Sequence, residues 1–379
     1  DNNIGLFSDW GIKNIRFNME EKEDIADVAK LKKVWVTVGA IFCLTTIILA
    51  GLVLVFINRK TVIKKINEIV PITERESGSQ SDNFNLTRRQ IDGVYVELGE
   101  ENNYPVAVTI DNFSDARPAA ALAKANIVYE AEAEGGVTRY LAIFADVKKV
   151  ENIGPIRSAR PYYVEWVEEY SAVYIHCGGS PDALAKIIKE NVVDFNEFYN
   201  GSYFYRNKSK SAPHNVYIKG DSVFSFLEKN KLEQGKFFPW LFKDDRQEAE
   251  RPEAAQIKID YPGDYYKVEW RYDKQGNQYD RYLAGKAHTD EDGEKIKAKN
   301  IIIQFIAAEE IDDKLRLAMK TIGEGKAFVC LDGQCREGKW HKKNNGSRTR
   351  FYDIDGNEFA FNAGTTWIEV VQPEHKVEF

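Results

Sequence analysis

The longest apolar stretch of the chain runs from residue 34 to residue 57 and holds no charged residue in 24 positions. A helix of that length rises about 36 Å, which is enough to cross a hydrocarbon layer of about 30 Å. Lysines and arginines flank both ends, and Trp35 suits the membrane interface. The pattern therefore predicts a transmembrane helix at 34–57 that inserts into the lipid bilayer.

We expect this helix to stay in the protein as an uncleaved anchor. The apolar run is longer than the core of a usual signal peptide, and no small-residue cleavage site follows it before the charges. Phe42 stands where lipid attachment at Cys43 would require a small residue. A tail of residues 1–33 before a large domain favours a cytoplasmic N-terminus and extracytoplasmic main domains. Met19 leaves open that residues 1–18 are not native.

Beyond the anchor, the hydrophobic pattern divides the chain into four segments. Residues 58–90 are polar and read as a juxtamembrane linker, and the charged stretch 244–254 reads as a linker between domains. Strand and helix patterns alternate over 91–243, which predicts a mixed, layered α/β domain. Strand patterns and Asp-Gly turns dominate 255–379, which predicts a smaller, mainly antiparallel β domain. The predicted fold class is α+β with an N-terminal transmembrane helix.

The same patterns place individual elements. Strands are predicted at 106–110, 127–130, 140–144, 172–176, 267–272 and 300–306. Helices are predicted at 118–124, 161–170, 181–190, 221–229 and 312–320.

Composition changes this picture in two ways. The 379 residues carry a net charge of -7, which argues against nucleic acid as a partner. The mean hydropathy of -0.46 is that of a soluble protein and conceals the apolar span. Leaving the anchor and linker aside, enough chain remains for two domains of ordinary size.

The cysteines suggest one cross-link and no metal centre. Cys330 and Cys335 flank a predicted two-residue turn, which places them directly opposite each other at about 4.5 Å between Cα atoms. A disulfide fits that geometry, and two reduced cysteines remain the alternative. The four cysteines lack paired zinc-ligand spacing, and no dinucleotide or phosphate-loop motif is present. We therefore expect no metal and no cofactor.

Polar residues gather where predicted strands pass into predicted helices. Three such junctions have proline at the expected first helical position: Pro118, Pro161 and Pro181. Free helix N-termini attract anions, and arginines at two of the junctions add to this attraction. Ser180 is better explained as a helix cap than as a nucleophile. The candidate ligand-binding residues are Asp111, Asn112, Arg117, Glu130, Glu134, Arg139, Arg157, Ser158, Arg160, His176, Ser180, Arg206 and His214.

Two interpretations of these residues stay open. The arginines could bind an anionic ligand, with the carboxylates as general bases and His176 or His214 as proton shuttles. Alternatively, the charged residues form an internal salt-bridge network with a structural role.

Four segments of the first region together carry a family resemblance: PVAVTIDN at 105–112, the long stretch 116–147, IGPIRSARPYYVEW at 153–166 and YIHCGGSPDAL at 174–184. They resemble the N-terminal domain of the YerB-like proteins, a family of unknown function (DUF3048). Segments 288–303, 323–340 and 362–371 resemble its C-terminal domain. The resemblance implies a bacterial, cell-surface protein, often a lipoprotein, and it supplies no established reaction.

Three functions follow as expectations. The first is binding of an anionic cell-envelope ligand, a glycan phosphate or carboxylate, at the arginine-rich site. The second is an envelope enzyme of hydrolase or phosphoryl- or glycan-transfer type, an analogy based on layout alone. The third is an adaptor that docks another envelope protein through the aromatic-rich residues 255–379.

Overall fold

The computed structural model describes residues 86–379, which lie in one compact unit, Asn83–Phe379. The predicted helix at 34–57 and the predicted linker up to residue 85 lie outside the described residues. Among the residues described, no helix has the length and apolar character needed to cross a membrane.

The first half of the described chain begins with six strands, after which helices and strands are interspersed. Its helices are α1 (Pro161–Glu168), α2 (Pro181–Lys189), α3 (Glu197–Asn200) and α4 (Gly220–Lys229). Its strands are β1 (Leu86–Arg88), β2 (Tyr95–Glu97), β3 (Val106–Asp111), β4 (Ile127–Glu132), β5 (Thr138–Phe144), β6 (Asn152–Ile153), β7 (Val173–His176), β8 (Val193–Asn196), β9 (Phe204–Arg206), β10 (Val216–Lys219) and β11 (Leu241–Lys243).

The second half consists of strands joined by turns. These strands are β12 (Gln256–Ile259), β13 (Val268–Asp273), β14 (Gln278–Leu283), β15 (Lys286–Ala287), β16 (Lys297–Ala298), β17 (Asn300–Phe305), β18 (Ala308–Glu310), β19 (Leu317–Met319), β20 (Gly323–Leu331), β21 (Gln334–Lys342), β22 (Arg350–Asp353), β23 (Ala360–Asn362), β24 (Thr366–Val371) and β25 (Val377–Glu378). The predicted strands at 106–110, 127–130, 140–144, 172–176, 267–272 and 300–306 are confirmed within a few residues.

One mixed sheet of ten strands organises the molecule, in the order β22-β21-β20-β17-β24-β4-β5-β3-β7-β8. Strands from both predicted regions, 91–243 and 255–379, contribute to it, and they meet where β24 runs parallel to β4. Every residue of these two strands is buried, so neither could serve as a solvent-exposed edge. The domain boundaries stay a prediction, since the sheet is continuous across both regions.

A second sheet, entirely antiparallel, covers part of the first. It has the order β15-β14-β13-β12-β25, with β16 also pairing with β14. Along β14 every second residue is buried, so that Tyr279, Arg281 and Leu283 face the interior. Helices α1 and α2 belong to the hydrophobic cluster on the opposite face of the ten-stranded sheet. Burial on both faces explains the apolar runs at 106–108, 127–129 and 140–144 in β3, β4 and β5.

The hairpin of β20 and β21 has the predicted register. Leu331 pairs with Gln334 and Cys330 pairs with Cys335 across a turn formed by Asp332 and Gly333. Both turn residues have positive φ, as a tight hairpin turn of this type requires. The two cysteines are joined by a disulfide, with 3.9 Å between their Cα atoms.

The helix predicted at 118–124 is wrong, because only a single 3₁₀ turn, Leu122–Lys124, forms there. Ala121 adopts a left-handed conformation with φ of 73°, which a continuous helix does not allow. The amide of Ala120 donates to the Gly154 carbonyl, while the amides of Leu122 and Ala123 donate to the Asp290 carboxylate. Backbone donors that a helix would use internally therefore serve long-range contacts, and Pro118 does not begin a helix.

The helix predicted at 312–320 is also wrong. The carboxylate of Asp312 accepts hydrogen bonds from the amides of Lys314 and Arg316, which closes a turn instead of a helix. The chain then continues into β19, which pairs with β18. The side chain of Asp312 competes successfully for the backbone donors that helix formation needs.

The other two strand-to-helix junctions begin as predicted. Pro161 is the first residue of α1 and Pro181 is the first residue of α2. The hydroxyl of Ser180 accepts a hydrogen bond from the amide of Ala183 at 3.3 Å, so Ser180 is the N-cap of α2. The helix predicted at 221–229 is confirmed as α4.

Candidate functional site

The candidate site lies where strands β3 and β5 pair at one end of the ten-stranded sheet. Asp111, the last residue of β3, is directly opposite Arg139 on β5. The loop before α1 joins this end, because the amide of Arg157 donates to the carbonyl of Thr109. Strand pairing and the loop before α1 thus bring charged side chains to the same end of the sheet.

Three arginines and two carboxylates form what we call the arginine cluster: Arg139, Arg157, Arg160, Asp111 and Glu134. Glu134 pairs with two of the arginines. Its Oε2 lies 2.9 Å from Arg139 Nη2, and its Oε1 accepts a hydrogen bond from Arg160 Nε. Arg157 Nε lies 3.1 Å from Asp111 Oδ2. The cluster therefore contains one more positive than negative group.

Electrostatics within the cluster show how closely these groups interact. Burial lowers the pKa of Arg157; Asp111 opposes this shift, while Arg139 and Arg160 add to it. Burial raises the pKa of Glu134, but Arg160 and Arg139 outweigh it and hold that pKa below its ordinary value. Glu134 is therefore ionised at neutral pH, and the arginines repel one another across a short distance.

Arg139 has donors that nothing in the described part of the chain satisfies. Arg139 is only 7% exposed, and its Nε and Nη1 atoms are buried without a hydrogen-bond partner among residues 86–379. Arg157 Nε also lacks a well-aligned acceptor there, although Asp111 lies nearby. Buried charged donors without acceptors are costly, so an added acceptor at this place would be stabilising.

A histidine–aspartate pair borders the cluster. His214 Nδ1 lies 2.7 Å from Asp111 Oδ2, and its ring stacks on Phe113 with 5.0 Å between ring centroids. An aspartate on Nδ1 fixes the ring and leaves Nε2 to exchange protons. This pair could act as a general base toward a group held by the arginines.

Three other predicted residues lie on the opposite face of the sheet. Asn112 Nδ2 donates to Thr138 Oγ1 at 2.7 Å, and its Oδ1 accepts from Arg117 Nε at 2.8 Å. Glu130 is fully buried and pairs with Arg281 from β14. These residues, Asn112, Arg117 and Glu130, belong to a buried network rather than to the arginine cluster.

The remaining predicted residues have local partners. His176 is buried between the Gly178 carbonyl at 2.7 Å and Asp194 at 2.9 Å, which suits a structural role. Ser158 donates to the Cys177 carbonyl at 3.0 Å. Arg206 is exposed and pairs with Glu197 at 3.0 Å, beside Cys177 rather than inside the cluster.

The sequence analysis missed the centre of the buried network. Arg281 pairs with Glu130 and lies 3.9 Å from Glu369, and all three side chains are fully buried. Glu369 also accepts hydrogen bonds from Trp270 Nε1 at 2.8 Å and from the Tyr261 hydroxyl at 3.1 Å. The sequence did contain one signal: buried and less buried residues alternate along β14, and Arg281 occupies a position where an apolar residue is expected.

Titration of Glu369 should make stability depend on pH. Burial and the charge of Glu130 raise its pKa from 4.5 to about 8, against the pull of Arg281, Trp270 and Tyr261. Between about pH 4.5 and 8, the folded state holds a proton that the unfolded state has released, so stability falls as the pH rises through that window. We expect Glu369→Gln to flatten this fall, measured by urea unfolding of the full chain at pH 5 and pH 8.5. An equally steep fall in the variant would contradict the assignment.

Within 86–379, no group of three or more His, Cys, Asp or Glu side chains is arranged to hold a metal ion.

Comparisons with known proteins agree with the resemblance seen in the sequence. Residues 93–233 match the model of the DUF3048 N-terminal domain, and residues 257–368 match that of its C-terminal domain, both described as protein of unknown function. The chain is 33% identical over 299 residues to the Bacillus subtilis protein named "Putative lipoprotein YerB", covering 76% of this chain and 88% of that one. The crystal structure of YerB from Bacillus subtilis superposes with a TM-score of 0.68 at 30% identity, covering 77% of this chain and 100% of that one. The chain therefore belongs to the DUF3048 family of YerB-like proteins.

Proposed function

We propose that this chain is a membrane-anchored protein of the bacterial cell envelope that binds an anionic ligand, a glycan phosphate or carboxylate, through the arginine cluster. The observation that carries the proposal is Arg139, which is buried beside two further arginines and has two donors without an acceptor among the residues that the structure describes. Guanidinium groups bind phosphate and carboxylate oxygens in a fork of parallel hydrogen bonds. An anion of this kind would supply the acceptors that the cluster lacks.

The carboxylates already present are occupied, which favours an external anion. Both oxygens of Glu134 are taken by Arg160 and Arg139, and Asp111 Oδ2 is shared by Arg157 and His214. The other oxygen of Asp111 accepts the amide of Phe113. Arg157 and Arg160 remain 21% and 11% exposed, so a ligand can approach from solvent.

The proposed location of the protein in the cell envelope is based on its sequence, on a relative of similar sequence and on its disulfide. The charge-free stretch 34–57 fits a single membrane span, with the N-terminus cytoplasmic and the main domains outside. The Bacillus subtilis relative carries a lipoprotein name, which is consistent with an envelope location for this chain. The disulfide between Cys330 and Cys335 suits an oxidising compartment.

The test is calorimetric titration of pyrophosphate into the full chain and into its Arg139→Met variant. We expect one saturable site in the wild type and binding at least about tenfold weaker in the variant, because a charge-assisted hydrogen bond is lost. Stability should change little, since Glu134 keeps Arg160 and the substitution removes two buried donors that have no acceptor within residues 86–379. Arg271→Met, on an exposed arginine of β13, is the matched control. Large destabilisation without any effect on binding would indicate a structural salt bridge instead.

A second candidate is hydrolysis of a phosphate ester, favoured by the pairing of His214 with Asp111. Water would attack phosphorus while His214 Nε2 takes its proton, and the ester oxygen would leave with a proton from solvent. We expect His214→Asn to reduce cleavage of bis(4-nitrophenyl) phosphate by about 10²-fold or more while pyrophosphate still binds. A wild-type chain that binds pyrophosphate and leaves the ester uncleaved would reject this candidate.

A further inference from the structure

Two consecutive aromatic side chains project into solvent from the short helix α3. Phe198 is 67% exposed and Tyr199 is 78% exposed. Single exposed aromatic residues are ordinary on protein surfaces, but two adjacent rings beside a charged site are typical of a ligand surface.

The first residue of the aromatic pair, Phe198, lies against the loop that precedes α2. Asn196 Oδ1 accepts hydrogen bonds from the amides of Phe198 at 3.1 Å and Gly178 at 3.0 Å. Gly178 has φ of 63°, and a Cβ at this position would lie 3.0 Å from atoms of the Phe198 ring. A glycine is thus required for the ring to lie over the loop. The ring of Phe198 is thus presented in a fixed place, which reduces the entropy lost on binding.

A continuous path of contacts joins this pair to the arginine cluster. Glu197, next to Phe198, accepts a hydrogen bond from Cys177 Sγ at 3.5 Å and from Arg206 Nη2 at 3.0 Å. The amide of Cys177 in turn donates to the carbonyl of Arg157 at 3.0 Å. Glu197 and Cys177 therefore connect the segment that carries Phe198 and Tyr199 to the backbone of Arg157 through two hydrogen bonds.

We infer that Phe198 and Tyr199 contact the sugar ring of a hexose phosphate unit whose phosphate is held by the arginine cluster. This inference rests on the proposed function and names the part of the ligand that the arginines do not recognise. A pyranose ring has polar edges and apolar C–H faces, and the flat face of an aromatic ring complements such an apolar face. Arginines for the phosphate and rings for the sugar together match a phosphate-bearing glycan.

The experiment compares inorganic phosphate with N-acetylglucosamine 1-phosphate as calorimetric titrants of the full chain. We expect the sugar phosphate to bind at least about tenfold more tightly, since stacking on an aromatic ring contributes a comparable factor. Phe198→Ala combined with Tyr199→Ala should remove that advantage and leave binding of inorganic phosphate unchanged. Phe238→Ala, which removes another exposed aromatic side chain, is the matched control and should change neither affinity.

The outcomes separate this inference from the proposal beneath it. If neither compound binds the wild-type chain, both the anion site and the sugar contact are rejected. If inorganic phosphate binds and the sugar phosphate binds no better, the sugar contact alone is rejected. The sugar contact is likewise rejected if the advantage of the sugar phosphate survives in the double variant.

Discussion

Replacing Arg281 with alanine is expected to lower the free energy of unfolding by about 3–5 kcal/mol. Arg281 is the cation that pairs with the buried Glu130, beside the carboxyl group of Glu369, and none of the three side chains reaches solvent. Without it, a carboxylate must either stay charged without a counter-ion or take up a proton. The guanidinium also packs over the ring of Trp367, so its loss leaves a cavity as well. Urea unfolding of the full chain, followed by tryptophan fluorescence, measures the effect.

Two further variants show whether charge is the cause. Arg271→Ala lies one strand away on the exposed surface and should leave stability nearly unchanged. Arg281→Met removes the charge while keeping most of the volume, and adding Glu130→Gln removes the partner's charge, so the double variant should be more stable than Arg281→Met alone. A double variant no more stable than Arg281→Met would show that an unpaired Glu130 charge is not the cause of the loss.

The second large effect is expected at the arginine cluster, where Arg157→Ala combined with Arg160→Ala should weaken pyrophosphate binding by about 100-fold or more. Each guanidinium contributes a charge-assisted hydrogen bond worth about 1.5–3 kcal/mol, so two losses together exceed that factor. The chain should still fold, because Glu134 keeps Arg139 and Asp111 keeps His214. Calorimetric titration beside a thermal unfolding curve reports both properties.

The control for this double variant has the same change in net charge. Arg271→Ala combined with Arg336→Ala removes two exposed arginines of the second half of the chain. It should bind pyrophosphate as the wild type does, which separates local contacts from a general loss of positive charge. Equal weakening in both double variants would show that pyrophosphate is attracted only by the overall field.

Local patterns were sufficient to predict the elements that rest on local chemistry. Buried strands such as β3 and β5, the two proline-led helices α1 and α2, and the hairpin at Asp332–Gly333 all follow from a few neighbouring residues. The failures at 118–124 and 312–320 share a different cause. In both segments aspartate side chains take backbone donors, and for Asp290 the partner is more than 160 residues away.

The candidate site was predicted in part for the same reason. Asp111, Arg139, Arg157 and Arg160 come together because loops and strand pairing deliver them to one end of the sheet, which proline-marked junctions signal. Glu130 was predicted to lie with them but does not, because side chains along a strand point alternately to the two faces of the sheet and that of Glu130 points away from the cluster. Arg281 and Glu369 come from the second half of the chain, and the sequence contained no local sign that β24 would pair with β4.

A crystal structure of residues 83–379 grown in sodium selenate is the sharpest test of whether the arginine cluster holds an anion. These residues form one compact unit, and a crystallised relative is matched over its whole length by 77% of this chain. Selenate has the tetrahedral shape and charge of a phosphate group, and selenium can be located by its anomalous scattering. We expect an anomalous peak for selenium at the cluster, with selenate oxygens about 3 Å from Arg139 Nη1 and from the guanidinium groups of Arg157 and Arg160. A map with no selenate at these three arginines, at concentrations that saturate known anion sites, would contradict anion binding by the cluster.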